Sequence, residues 1–390
     1  MKKIVFLFTI LVLVSCQNED KNSILITVKN DLNIDRAFET AEIDISDLKS
    51  LNASEFQVIH KTSGDSLTSQ TIDDDDDGIV DVMLFQPKVK ANSEEAYQVF
   101  ASTEKEQEAI CYSRFVPERT DDYAWENNRV AFRTYGPTAQ QMVEDSIKGG
   151  TLSSGIDAWL KRVEYPIIDK WYKKHTSGEG SYHQDTGEGL DNFHVGVSRG
   201  VGGIAYKVDS LYEVSKNFKS YKTIANGPLR TLFELDYGTY YDNSKKITET
   251  KRISLDYGQN LSKFEISVIG TPNVSAGLTL HDNTGETTTN KSEGWMSYWE
   301  PHDGSELGQG LVIKNIDKLK GFDKYLSEEK DKSNLFMQIE TEDSIAEYYA
   351  GFGWEKSGQF NSKEEWENYL SNFSKCIQNP FVITIENAKL

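Results

Sequence analysis

Residues 227–241 read GPLRTLFELDYGTYY, with Arg230, Leu232, Glu234 and Asp236 on one side of an extended chain and Leu229, Thr231, Phe233 and Leu235 on the other. Alternation with period two is the mark of a strand, since successive side chains leave a pleated backbone on opposite faces. RISLDYG (252–258) and KFEISVIG (263–270) follow in the same pattern, as expected of neighbouring strands in a broad antiparallel sheet. Toward the N-terminus, ILITVKN (24–30), EFQVIH (55–60) and IVDVMLFQ (79–86) are short alternating segments between polar turns. The pattern predicts a mainly β protein: a large antiparallel β-sandwich with a few covering helices and an N-terminal β region.

Three stretches carry helix signals. Pro137 can open a short helix, being tolerated in a first turn. Ser154–Gly155–Ile156–Asp157 resembles a capping box, and Ile156, Trp159, Leu160 and Val163 follow at helical spacing until Pro166. Ser362–Lys363–Glu364–Glu365 is a second capping box, ahead of Trp366, Leu370, Phe373 and Ile377 on one helical face.

The chain of 390 residues is 37% hydrophobic and 11% aromatic, enough to build a real core, and its formal charge of −20 with no basic patch excludes a nucleic-acid partner. The first 15 residues, MKKIVFLFTILVLVS, join two lysines to an apolar run too short to span a bilayer and read as a signal peptide. Leu13–Val14–Ser15–Cys16 resembles a bacterial lipobox. Cys16 is then the lipidated N-terminus, and the only membrane contact is that anchor on an envelope protein. Cys111 and Cys376 fit either one disulfide or two buried thiols. The expected division is signal peptide 1–15, N-terminal β region 16–101 and main sandwich domain 102–390, the last carrying the site.

Chemistry concentrates in residues 181–203, SYHQDTGEGLDNFHVGVSRGVGG, where six glycines accompany His183, His194, Arg199 and three acids. Glycines in that number cost folding entropy and allow close approach of backbone to a ligand. A second concentration is Tyr298–Trp299–Glu300–Pro301–His302–Asp303–Gly304. His183 and His302 stand out among the six histidines because each lies in a glycine-rich or turn-rich segment; His60, His175 and His281 do not. Tyr298 and Trp299 can be core residues or faces for stacking on sugar rings. Arg133 and Tyr135 share a strand face and could line a cleft.

No cofactor or metal is expected from local motifs. Gly200–Val201–Gly202–Gly203–Ile204–Ala205 fits a dinucleotide fingerprint formally but lacks the strand before it and the helix after it. Asp73, Asp75, Asp77, Gly78 and Asp81 open like a calcium loop, yet the twelfth position is Leu84 where a bidentate Glu belongs. An acidic hairpin tip accounts for that run.

SYHQDTGEGLDNFHVGVSRGVGG, NGPLRTLFELDYG, RISLDYGQNLSKFEI, GWMSYWEPHDGSELGQGLVI and EYYAGFGWEKSGQF, in that order along the chain, together resemble a family of bacterial envelope lipoproteins formerly of unknown function. The studied member of that family is an ulvan oligosaccharide dehydratase. The resemblance implies a sandwich of the mutarotase-like kind. It also implies removal of water from a terminal glucuronate or iduronate linked to sulfated rhamnose, leaving a 4,5-unsaturated uronate. Taking the C5 proton beside a carboxylate builds negative charge that a cation or donors must offset, and a base and an acid must move the protons. His183, His302 and Tyr298 are the residues expected to act in that step. Arg230 and Arg199 are expected on the substrate carboxylate, with Tyr135, Trp299 and His194 binding the sugar. Two rival readings are a non-catalytic glycan-binding lipoprotein and a glycoside hydrolase using Glu188 and Asp191.

Overall fold

The computed structural model describes residues 22–103, 108–242 and 245–387. The expected signal peptide, 1–15, and the expected lipidation site Cys16 lie outside them. No helix among the described residues is long and apolar enough to cross a membrane.

The predicted alternation at 227–241 becomes the strand Arg230–Asp242, second in an eight-stranded antiparallel sheet. Its order is Ser220–Ala225, Arg230–Asp242, Lys245–Asp256, Leu261–Ile269, Ile345–Trp354, Ser305–Ile313, Trp295–His302 and Glu286–Asn290. Phe233, Leu235, Ile253, Phe264, Leu311 and Phe352 project from one face of this sheet into the main core. Burying side chains of that size supplies ~1.5–3 kcal/mol each before cavity effects, so this face sets the position of everything stacked on it.

Two five-stranded antiparallel sheets lie side by side on that face. The first runs Gly189–Leu190, Asp157–Lys161, Ala131–Tyr135, Asp122–Glu126, Tyr112–Val116; the second runs Leu211–Glu213, Val201–Val208, Asn273–Thr279, Asn334–Glu340, Leu319–Tyr325. They meet at a parallel bridge between Ile156 and Gly200. Gly200 has φ +58°, and a Cβ there would sit 1.8 Å from the Ile156 carbonyl oxygen, so only glycine allows the join. The architecture is thus an antiparallel β-sandwich, as the strand pattern predicts.

The segment read as a helix from Ser154 is instead the strand Asp157–Lys161, buried along its whole length. Its apolar spacing fits a strand covered on both faces. Ala158 and Leu160 enter the main core, while Trp159 packs on the other side against Trp171 and Tyr172 of helix α2, Ile168–Thr176. The charged ends are neutralised locally: Lys161 pairs with Glu126 at 2.7 Å and Asp157 with Arg133 at 2.6 Å. Helix α1, Pro137–Glu144, opens at the predicted proline. Helix α3, Lys363–Gln378, starts at Ser362, whose Oγ accepts the Glu365 N–H at 3.2 Å, and it buries Trp366 and Leu370 on the outer face of the large sheet.

The N-terminal β region has its own core around Ile26, Val58 and Val99. Its first strand, Ser23–Asn30, is flanked on one side by the last strand of the chain, Val382–Asn387. Cys111 and Cys376 are both buried, and neither forms a disulfide among the described residues.

Candidate active site

In the strand Trp295–His302, Met296 and Tyr298 point into the main core while Trp295 and Trp299 point outward under α3. Glu300 and His302 keep the inward parity at the end of the strand, where the sandwich opens. They meet there the turn after Asn273–Thr279, which carries His281, and the chain leading into Val201–Val208, which carries Asn192 and His194. Together with Asp331 these residues line an open cavity of about 540 Å³, the size of an ordinary small-ligand site.

The polar contacts inside are specific. His281 Nδ1 lies 2.7 Å from Glu300 Oε1, and its Nε2 lies 3.1 Å from the His194 carbonyl oxygen. Gln309 Nε2 donates to Glu300 Oε1 at 3.1 Å and to the Thr279 carbonyl at 3.0 Å. The His302 ring lies 5.9 Å from that of His281; its Nε2 is buried without a hydrogen-bond partner among the described residues, and burial holds its basicity below the ordinary imidazole range. His194 Nε2 lies 2.9 Å from Asp331 Oδ2, so this nitrogen carries the proton and Nδ1 remains an acceptor. A ring nitrogen of His281, a ring nitrogen of His302 and a Glu300 oxygen lie within 4.8 Å of one another, close enough to hold a metal ion.

A second polar cluster adjoins this cavity through residues 191 and 192. Arg133 is buried among Asp157 at 2.6 Å, Asp191 at 2.8 Å and Asp122 at 3.4 Å. Burial, then the neighbouring Asp191, push the Asp157 carboxyl well above its usual range, and the Tyr135 hydroxyl donates to Asp157 at 3.2 Å. His183 stands at the rim of this cluster, half exposed, with Nδ1 2.7 Å from the Asp191 carbonyl oxygen. The carbonyl fixes the proton on Nδ1 and leaves Nε2 as the acceptor.

Of the residues expected from sequence, His194 and His302 line the cavity, and His183 lies beside it. Others are placed in ways that do not fit their expected roles. Arg230 pairs in fork geometry with Asp256 at 2.6 and 2.8 Å and reaches Glu42 at 2.6 Å. It also lies five strands across the large sheet from Glu300, ~24 Å at the usual strand spacing, so the two cannot share one sugar ring. Arg199 is buried, donating to Ser154 Oγ at 2.9 Å and to the carbonyls of Ile204 and Val197; it fastens the join between the two smaller sheets. The Tyr298 hydroxyl is fully buried, donating to the Leu280 carbonyl and accepting from the Gly285 N–H. Trp299 packs against Trp366 and Gly308 in the layer under α3, and Tyr135 is core. Glu188 is taken by Lys170 and Tyr165, and Asp191 by Arg133, so these two carboxylates do not face each other across a substrate.

His281, Asp331 and Gln309 were not legible as site residues. His281 sits two residues past the core strand Asn273–Thr279, at φ +45°, in a turn that looks ordinary in sequence. Glu300 and His302, two apart on a strand, share a face, and that parity is the signal that could have paired them. In the acidic loop between Ser69–Ile72 and Val82–Phe85, Asp73, Asp75 and Asp81 approach one another. Asp73 there accepts the backbone N–H groups of Asp76, Asp77 and Gly78, as a turn-forming aspartate does.

Residues 28–383 match the family described as a domain of unknown function (DUF4861). A relative from Formosa agariphila, named uncharacterized protein P7, is 52% identical over 381 residues, which are 95% of this chain and 96% of the relative. Among solved structures, a glycosyl hydrolase family 38 protein from Enterococcus faecalis superposes with a TM-score of 0.46 at 11% identity. An alpha-mannosidase from Enterococcus faecalis V583 gives 0.44 at 10%. These superpositions cover 95% and 94% of this chain, which spans about half the length of either structure, 48% and 47%.

Proposed function

This chain belongs to the DUF4861 family, and we propose that it is a carbohydrate-processing enzyme: an oligosaccharide dehydratase removing water from a terminal uronate in the His194–His302 cavity. The observation that carries this reading is the His194–Asp331 pair at 2.9 Å, placed across one cavity from His281, Glu300 and His302. A carboxylate on one imidazole nitrogen sets the tautomer and supports the charge gained when the other nitrogen takes a proton. His194 is therefore equipped to act as the base at C5.

The step balances within that geometry. The C5–H electron pair becomes the C4=C5 double bond, and the C4–O pair leaves with the 4-hydroxyl. The proton that His194 takes from carbon is the one the departing oxygen needs to leave as water. Offsetting the negative charge that develops on the substrate carboxylate would fall to the imidazoles and to the exposed Lys330, in a cavity whose lining also includes Asp282, Asp303, Glu328 and Glu329. The family resemblance drawn from the five motifs supplies the substrate class, a uronate beside sulfated rhamnose, and with the lipobox at Cys16 it supports tethering in the cell envelope.

The test is a paired assay on saturated, uronate-terminated oligosaccharides. A dehydratase lowers the product mass by one water, raises ultraviolet absorbance from the conjugated uronate, and creates no new reducing ends. New reducing ends would favour a hydrolase, and tight binding with no product would favour a glycan-binding protein.

A further inference from the structure

We propose that His281, Glu300 and His302 form a binding site for one first-row divalent cation of the zinc class. His281 Nε2 faces a backbone carbonyl, which can only accept, so this nitrogen must carry a hydrogen. In a neutral ring Nδ1 is then a lone pair, yet it lies 2.7 Å from the Glu300 carboxylate. Two acceptors at that distance need a proton between them, and a metal ion that takes both as ligands would replace that proton.

Three further features favour the metal. Imidazoles that bind metal are oriented through their other nitrogen by a carbonyl or carboxylate, and the His194 carbonyl does this for His281. Glu300 is 98% buried and is held in place by Gln309, which is itself fixed on the Thr279 carbonyl; a carboxylate buried to that degree needs a countercharge. His302 brings a buried Nε2 that has no hydrogen-bond partner among the described residues, an arrangement that costs stability unless something fills it. A bound ion relieves all three conditions at once, whereas a proton on His281 leaves His302 as it is.

The donor set selects the cation. Two imidazoles and one carboxylate suit zinc and its neighbours, not calcium or magnesium, which prefer all-oxygen shells. Three protein ligands also leave a fourth position for water or a substrate oxygen, and all three residues line the cavity. The site stands on its own geometry and does not depend on the reaction proposed above. Under that reaction, a cation here would supply the charge on the substrate carboxylate that Arg230 and Arg199 are not placed to give.

Untagged protein, stripped with a chelator and dialysed, would be titrated with zinc chloride by calorimetry, with melting temperature recorded in parallel. Wild type is expected to bind one equivalent and to melt higher when loaded. His302→Ala and Glu300→Gln should each weaken binding at least tenfold, in line with the usual effect of removing a ligand or its support. Asp75→Asn, in the distant acidic loop, should leave binding unchanged. If wild type takes up no stoichiometric zinc, or if both site variants bind it as wild type does, the proposal is overturned. Activity enters neither readout, so a failed dehydratase assay and a failed metal titration remain separate results.

Discussion

His281 is held between the His194 carbonyl at 3.1 Å and the Glu300 carboxylate at 2.7 Å, which ties the turn after one sandwich layer to the strand end of the other. Removing the imidazole takes one partner from a buried carboxylate that Gln309 also holds. His281→Ala should therefore cost about 1–3 kcal/mol of stability, the penalty for a deprived buried polar group. Denaturant unfolding would show it as a lower midpoint at constant slope; an unchanged midpoint would mean that the contact carries no weight.

Arg230 behaves, on this account, as a structural cation. Arg230→Met strands Asp256, and should lower stability by about 1–3 kcal/mol while leaving the turnover of the folded fraction within twofold of wild type. Steady-state kinetics below the melting transition decide the point, since a folded variant with a hundredfold loss of kcat would return Arg230 to the substrate.

Trp299 should matter for packing and not for sugar binding. Its ring fills the layer between the large sheet and α3, and Trp→Ala in such a place commonly costs ~3–5 kcal/mol. Trp299→Ala is expected to lower the melting temperature by many degrees with KM unchanged for whatever protein remains folded. A raised KM at unchanged stability would contradict the assignment.

His194 and His183 present different acceptor nitrogens, one in the cavity and one at the rim of the Arg133 cluster. His194→Ala should lower kcat by about 10²–10⁴, the range for loss of a general base, with little change in KM. His183→Ala should affect KM more than kcat. The reverse pattern would move the proton chemistry from the cavity to the rim.

Tethering is tested apart from catalysis. Cys16→Ala should shift the protein from the membrane fraction to the soluble fraction of cells that express it with its leader. Equal fractionation of variant and wild type would remove the lipid anchor.

The fold could be read from sequence wherever one side-chain period dominated. The two-residue alternation at 227–241 and the capping box at Ser362 produced the strand and helix expected of them. Residues 154–163 misled because a strand buried on both faces has no wet side, so its apolar residues lose the alternation and mimic helical spacing. The site was only half legible for a related reason. His194 and His302 sit in conspicuous segments, but Asp331 reaches His194 from a turn 137 residues away, His281 arrives on another turn, and Gln309 comes from the strand paired with that of Glu300. Arg230 and Tyr298 looked chemical because arginine and tyrosine so often are; nothing local shows that Asp256 and the Leu280 carbonyl already occupy them.

A dehydratase expels water from its substrate and does not insert it, and an isotope experiment reads that difference directly. Wild-type protein would be incubated with a saturated, uronate-terminated oligosaccharide in heavy-oxygen water and the product weighed by mass spectrometry. Elimination predicts a product lighter by one water and free of label, with its glycosidic bonds intact. A shorter product that carries the heavy oxygen at a new reducing end would contradict the account.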